Sequence, residues 1–133
     1  MKLGLSAAIL AAALFCAGSI AQTAQAQEAG PIIDTYAVNV NGNPMGFIAE
    51  LKKVFAKSSE LGIESKRRVL LSEIGGAGTN MVYVTVEYPS LAAMEAGQAK
   101  VYATEEWAAF MEATRGMGMA PVGRQVLRQL LSE

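Results

Sequence analysis

The pattern of apolar and polar residues predicts four β-strands, three from alternation and one, residues 66–74, from its apolar centre Val69-Leu70-Leu71. The stretches are residues 32–40, 66–74, 81–88 and 122–131. Successive side chains of a strand point to opposite faces of a sheet, so alternation predicts one apolar face. In the first stretch Asp34 shares that face with Ile32, Tyr36, Val38 and Val40. The alternation of the last stretch is imperfect, which suits a strand whose second side meets a partner or water.

Apolar residues at helical spacing predict a first helix that begins at Pro44 and ends before Gly62. Asn43 is a suitable N-cap, and a proline is favoured at the first helical position because its missing N–H would be unpaired there. A second helical region covers residues 91–116, and Ser90 is a suitable N-cap for it. Its apolar pattern is weak at first, and Thr104 then restarts the helix as a new N-cap.

The element order strand, helix, strand, strand, helix, strand is the βαββαβ arrangement of a ferredoxin-like fold. It predicts an α+β domain with a four-stranded antiparallel sheet and two helices on one face. The other face of the sheet would carry Asn39, Tyr83, Thr85 and Glu87. Because that face is mixed and the domain is small, we expect a second copy of the chain to cover it. A buried Glu87 would then need a cationic partner, for which Arg124 and Arg128 are candidates.

The first 26 residues have the pattern of a signal peptide. A basic start precedes an apolar run over residues 3–21, and Ala24-Gln25-Ala26 fits the small-residue cleavage motif. Cleavage after Ala26 would leave a domain of residues 27–133 in the bacterial periplasm or outside the cell, without membrane attachment. The alternative is a retained membrane anchor, since the apolar run approaches the ~20 residues that span a bilayer.

The composition excludes several chemistries, because the chain contains no histidine. The usual zinc sites, histidine-ligated haem, and Ser-His-Asp or Cys-His nucleophiles all need imidazole. Cys16 is the one cysteine and permits no internal disulfide. The net charge of -1 gives no reason to expect nucleic acid as a partner. The run Lys66-Arg67-Arg68 is interpreted as solvated charge at the start of a strand. We expect neither a metal nor a cofactor.

Two segments resemble the dimeric α+β barrel superfamily, and within it NIPSNAP-like and antibiotic-biosynthesis-monooxygenase-like small domains. They are the stretch Tyr102-Ala103-Thr104-Glu105-Glu106-Trp107-Ala108-Ala109-Phe110 and the strand end Tyr36-Ala37-Val38-Asn39-Val40 before a proline-capped helix. The resemblance covers about residues 32–131. It implies a homodimer that pairs its two sheets into a barrel, and a cavity in each subunit between helices and sheet. The haem-degrading members use a histidine ligand, which this chain lacks.

We expect Tyr36, Trp107 and Met111 to border such a cavity, because each lies on an apolar, inward-facing stripe. The alternative interpretation is that these side chains only fill the core or an interface. Three functional hypotheses follow. The protein binds a small apolar or aromatic ligand, or it is a cofactor-independent monooxygenase-like enzyme acting on an aromatic quinol, or it is a purely structural dimer.

Overall fold

The two central strands come from the two stretches with the clearest alternation. In the computed structural model, which describes residues 30–73 and 81–130, β1 (Ile32–Asn39) lies antiparallel to β3 (Met81–Tyr88). Tyr36 lies opposite Val84, and Val38 lies opposite Val82. This register places the apolar residues of both strands on one face of the sheet, because side chains directly opposite each other point the same way.

Two edge strands complete the sheet. β2 (Lys66–Leu71) pairs with β3, and β4 (Ala120–Arg128) pairs with β1, both antiparallel. The order across the sheet is β2-β3-β1-β4. The predicted ferredoxin-like α+β fold with a four-stranded antiparallel sheet is therefore confirmed.

The helices begin where the sequence predicts caps. α1 (Pro44–Glu60), α2 (Leu91–Tyr102) and α3 (Glu105–Gly116) have Asn43, Ser90 and Thr104 as N-caps. Each cap side chain accepts a hydrogen bond from a backbone N–H of the first turn, which would otherwise be unpaired. Gly62 follows α1 with φ +70°, a conformation that glycine adopts at little cost.

Three boundaries differ from the sequence prediction. β4 begins at Ala120 and ends at Arg128 instead of covering 122–131, and β2 ends at Leu71 rather than at residue 74. The pairing of β1 with β4 shifts register between Ala37 and Val38, so a bulge interrupts the alternation of β4. The predicted second helix is two helices, because Thr104 ends one hydrogen-bonded run and caps the next.

The core lies between the helices and one face of the sheet. The fully buried residues Val40, Phe47 and Val82 are packed with side chains from all three described helices and from the start of β4. Phe47 of α1 meets Phe110 of α3 edge to face, with ring centroids 5.8 Å apart. Helices therefore cover this face, whereas no helix of residues 30–73 and 81–130 covers the opposite face, which is called the uncovered face below.

Several sequence predictions lie outside the described residues. They concern the signal peptide at 1–26, Cys16 within it, and the predicted strand ends at residues 74 and 131. Within residues 30–73 and 81–130, no helix has both the length and the apolarity needed to cross a membrane.

Candidate functional site

A buried carboxylate stands on the apolar face of β1. Asp34 has no solvent exposure, although its neighbours on that face are Ile32 and Tyr36. Removing a charge from water costs several kcal/mol unless partners replace the water. The structure supplies them: Arg124 of β4 donates from Nε to Oδ1 at 2.9 Å and from Nη2 to Oδ2 at 3.0 Å. This two-point contact fixes the direction of both side chains.

Three further side chains extend this ion pair towards the helices. The hydroxyl of Tyr36 donates to Oδ2 of Asp34 at 2.7 Å, and Nε2 of Gln98 donates to the same oxygen. Gln98 also accepts a hydrogen bond from Nη2 of Arg124 at 3.2 Å. The hydroxyl of Tyr102 lies 3.0 Å from that of Tyr36. Asp34 thus connects β1, β4 and α2 through one hydrogen-bonded network.

The close approach of α2 to the sheet makes this network possible. At Gly97 an added Cβ would lie 3.1 Å from Cγ2 of Ile63 and 3.3 Å from Cε1 of Tyr88. A larger residue would force these neighbours to give way or push the helix outwards. The absence of a side chain at Gly97 therefore lets the next residue, Gln98, reach Asp34 on β1.

The network determines the charge state of the tyrosine at its centre. Burial, followed by the hydrogen bonds with Asp34 and Tyr102, raises the pKa of Tyr36 well above the ordinary tyrosine value. The pKa of Arg124 is also raised, chiefly by its hydrogen bonds to Asp34. Tyr36 therefore keeps its proton through neutral pH and donates it to the carboxylate. The proton shared with Tyr102 must then come from Tyr102, because Tyr36 has only one to give.

A cavity of about 290 Å³ lies beside the network, between the helices and the sheet. Most of its wall is apolar and comes from Val38, Phe47, Leu51, Val54, Phe55, Ile63, Val84, Val86, Val101 and Phe110. The polar side chains in the wall include Tyr36, Gln98, Tyr102 and Arg67. An apolar cavity with a few directed polar groups is the ordinary form of a small-molecule site.

The structure places the three residues predicted to border a cavity in the wall of this one. Tyr36, Trp107 and Met111 all line it. Trp107 stacks at a tilt against Tyr102, with ring centroids 4.7 Å apart, and against Phe110, at 5.4 Å. Met111 is 38% exposed, which puts it near the rim rather than in the core.

The four residues assigned to the other sheet face do not border the cavity. Asn39, Tyr83, Thr85 and Glu87 lie on the uncovered face, and Tyr83 is 37% exposed. The expected partners of Glu87 are wrong: Oε1 of Glu87 lies 3.4 Å from Nζ of Lys66 on β2. Arg124 instead points to the helix side, since it lies opposite Tyr36 in the register of β1 and β4.

Sequence reasoning missed Asp34, Gln98 and Arg67 as site residues. A signal for Asp34 was present, because a carboxylate on an otherwise apolar strand face must be buried with partners. The interpretation of Arg67 as solvated charge is wrong, because this side chain is partly buried and belongs to the cavity wall. Nothing in the local pattern identifies Gln98, whose role depends on helix placement.

In the described part of the chain, no three or more histidine, cysteine, aspartate or glutamate residues come together as a metal site. The polar groups in or beside the cavity wall include the amide of Gln98, three phenols, several hydroxyls, two guanidinium groups and one carboxylate. They can donate and accept hydrogen bonds and hold an anion. Asp34 is not itself part of the cavity wall, because Tyr36 and Gln98 stand between it and the open space.

No protein-family model and no curated protein matches this sequence. Solved structures do match its fold. A protein from Caulobacter crescentus described as a candidate antibiotic biosynthesis monooxygenase is 17% identical, with a TM-score of 0.59 over 77% of this chain and 92% of that one. SnoaB, a cofactor-independent oxygenase from Streptomyces nogalater, is 15% identical, with a TM-score of 0.57 over 79% of this chain and 100% of that one.

A NIPSNAP family protein of unknown function from Agrobacterium tumefaciens is similar to the same degree. It is 14% identical, with a TM-score of 0.57 over 77% of this chain and 88% of that one. The resemblance to NIPSNAP-like and monooxygenase-like domains is thereby confirmed at the level of fold. Likeness at such low identity does not transfer an activity, because function depends on the residues of the site.

The ion pair can be tested by removing its two members separately. We expect Arg124→Met to lower the free energy of unfolding by about 3 kcal/mol, because it leaves a fully buried carboxylate without its cation. Asp34→Asn should cost less, about 1–2 kcal/mol, since the side chain of Arg124 is 43% exposed and can be solvated. Urea denaturation at neutral pH measures both values.

Arg128→Met is the matched control, because Arg128 lies on the same strand and is exposed. It should change the free energy of unfolding by less than about 0.5 kcal/mol. The double variant Asp34→Asn/Arg124→Met should be more stable than the sum of the single effects predicts. A cost for Asp34→Asn greater than that for Arg124→Met would contradict this account of the site.

Proposed function

We propose that this protein binds a small apolar or aromatic molecule in the cavity between its helices and its sheet. The observation that supports this most directly is the cavity itself, about 290 Å³ in volume and apolar over most of its wall. That volume is at the lower end of the roughly 300–1,000 Å³ typical of ligand pockets. The ligand is accordingly small, and aromatic walls such as Trp107 suit a flat ring.

The directions of the hydrogen bonds indicate which polar group the ligand carries at one end. Tyr36 gives its proton to Asp34 and receives one from Tyr102. Tyr102 then has lone pairs but no further proton to offer. A ligand hydroxyl or N–H donor near Tyr102 is therefore favoured over a carbonyl at this end of the cavity.

We propose further that the protein is a homodimer formed through the uncovered face of the sheet. This face carries large exposed side chains, including Leu70 at 53%, Tyr83 at 37% and Leu127 at 47% exposure. Leu70 and Tyr83 are paired across β2 and β3. Burying exposed apolar side chains in a dimer interface is worth about 25 cal/mol per Å².

We also propose that the chain is exported, so that its mature form lies outside the cytoplasm. This proposal rests on the signal-peptide pattern of residues 1–26.

A native mass spectrum of protein purified from its own host checks these three proposals together. We expect a species with twice the mass of residues 27–133, plus the mass of one small molecule per chain. Under denaturing conditions the chain should begin at Gln27 and the extra mass should be lost. A monomer would overturn the dimer, and a chain that still begins at Met1 would overturn the cleavage.

Filling the cavity should abolish binding. Val101 is buried in α2 and lines the cavity, so Val101→Phe places a ring inside the space that a ligand would occupy. We expect the affinity for 2-naphthol, measured by titration calorimetry, to fall roughly tenfold or more. Lys100→Phe introduces the same ring at the exposed neighbouring position and should leave the affinity unchanged. Equal loss in both variants would place the binding elsewhere.

A second candidate function is a cofactor-independent oxygenase reaction on an aromatic quinol. Two observations favour it: the fold is similar to that of SnoaB, and a protonated phenol, that of Tyr36, stands at the cavity wall. In such a reaction the substrate would supply the electrons to dioxygen, while the protein would orient it. Tyr36 and Trp107 are the residues that would contact the substrate.

Oxygen consumption distinguishes this enzyme from a binding protein. With a naphthalene diol as substrate, the oxygenase hypothesis expects protein-dependent oxygen uptake that falls about tenfold in Tyr36→Phe, because the lost hydroxyl orients Tyr102, whose oxygen faces the substrate. Circular dichroism checks that the variant remains folded. Binding of the diol without oxygen uptake would leave the ligand-binding function and exclude this reaction for that substrate class.

A further inference from the structure

A second arginine, Arg67, borders the cavity on the side away from the Asp34 network. Arg67 of β2 is opposite Val86 of β3, and Val86 is opposite Asp34 of β1. All three therefore lie in one row on the helix-facing side of the sheet. Since neighbouring strands are about 4.8 Å apart, the backbones at the two ends of this row are separated by about 10 Å.

Among residues 30–73 and 81–130, the groups that hold the guanidinium of Arg67 are all neutral. Nε donates to Oγ of Ser65 at 2.9 Å, and Nη1 donates to Oγ of Ser59 at 2.9 Å and to the carbonyl of Phe55 at 3.1 Å. Nη2 donates to the carbonyl of Ile63 at 3.3 Å. The group also lies 5.5 Å from the ring centre of Phe55. A guanidinium has five N–H donors, so these four bonds leave one N–H of Nη2 unused.

Arg67 differs from Arg124 in having no carboxylate partner among the described residues. Arg124 is paired with the carboxylate of Asp34, whereas no carboxylate of residues 30–73 or 81–130 forms a salt bridge with Arg67. Arg67 nevertheless contributes to the wall of an otherwise apolar cavity. A fixed cation in such surroundings attracts an anion more strongly than it would in water, because the apolar wall screens the charge poorly.

We propose that the ligand of this cavity is an amphipathic carboxylate, with its carboxylate group on Arg67 and its apolar body directed towards Trp107 and Tyr36. The inference rests on the proposed ligand-binding function and specifies its chemical class. The charged group binds at the Arg67 side because the other side is already occupied by the compensated Asp34–Arg124 pair. A guanidinium with an unused N–H donates a charge-assisted hydrogen bond to a carboxylate oxygen.

The competing explanation is that Arg67 only fastens the end of α1 to β2. Its acceptors at Phe55 and Ser59 lie in the last turns of that helix, and a cation is favourable there without any ligand. The two explanations differ in one measurable respect. A structural clamp gives no preference for a charged ligand over a neutral one of the same shape.

Titration calorimetry with 2-naphthoate and 2-naphthamide separates these explanations, because the two probes have nearly the same shape and differ in charge. We expect the wild-type chain to bind the acid about tenfold or more tightly than the amide. In Arg67→Gln this preference should disappear while the affinity for the amide is retained. Arg68→Gln makes the same change of charge at the exposed neighbouring position on the opposite face and should preserve the preference.

The possible outcomes distinguish this inference from the function on which it rests. Equal affinity of the wild-type chain for both probes would overturn the carboxylate assignment and leave the ligand-binding function intact. Binding of neither probe would overturn both. If Arg68→Gln lost the preference for the acid as fully as Arg67→Gln, the preference would come from general surface charge. The assignment of the carboxylate to Arg67 would then be wrong. If Arg67→Gln does not fold, Arg67→Lys keeps the charge with fewer donors and should retain a reduced preference for the acid.

Discussion

The burial of Asp34 is the constraint on which the rest of the site depends. A carboxylate with no solvent exposure at the centre of a sheet must be compensated, and each group that compensates it comes from a different part of the fold. Arg124 comes from the edge strand β4, and Gln98 comes from α2. The same interaction therefore holds the edge strand, positions a helix and fixes the proton of Tyr36.

The cavity follows from the way in which the helices meet the sheet. Valines, which are short, form much of the sheet wall, whereas larger aromatic residues on α1 and α3 form much of the helix wall. Trp107 and Phe110 pack against each other, with ring centroids 5.4 Å apart. Space remains beside Val84 and Val86, and the polar network on one side and Arg67 on the other limit its extent.

Local pattern was sufficient to predict the elements and their order. Alternation identified the strands, and the caps Asn43, Ser90 and Thr104 identified the helix starts, because these signals act within a few residues. The site depends on longer distances. Asp34 and Arg124 are 90 residues apart, and their contact requires the pairing of β1 with β4, which places Arg124 opposite Tyr36.

The wrong interpretation of Arg67 also shows that local sequence pattern does not identify the residues of the site. A run of three basic residues on a short strand is usually solvated, and its neighbours Lys66 and Arg68 are indeed exposed. Strand geometry turns the middle residue to the other face, where the helix end supplies acceptors and the cavity supplies an apolar wall. A fold alone does not determine a ligand, because function depends on the residues of the site. In this chain one row across the sheet has the ion pair of Asp34 and Arg124 at one end. At its other end is Arg67, which has no carboxylate partner among the described residues. The two sides of the cavity therefore differ in charge.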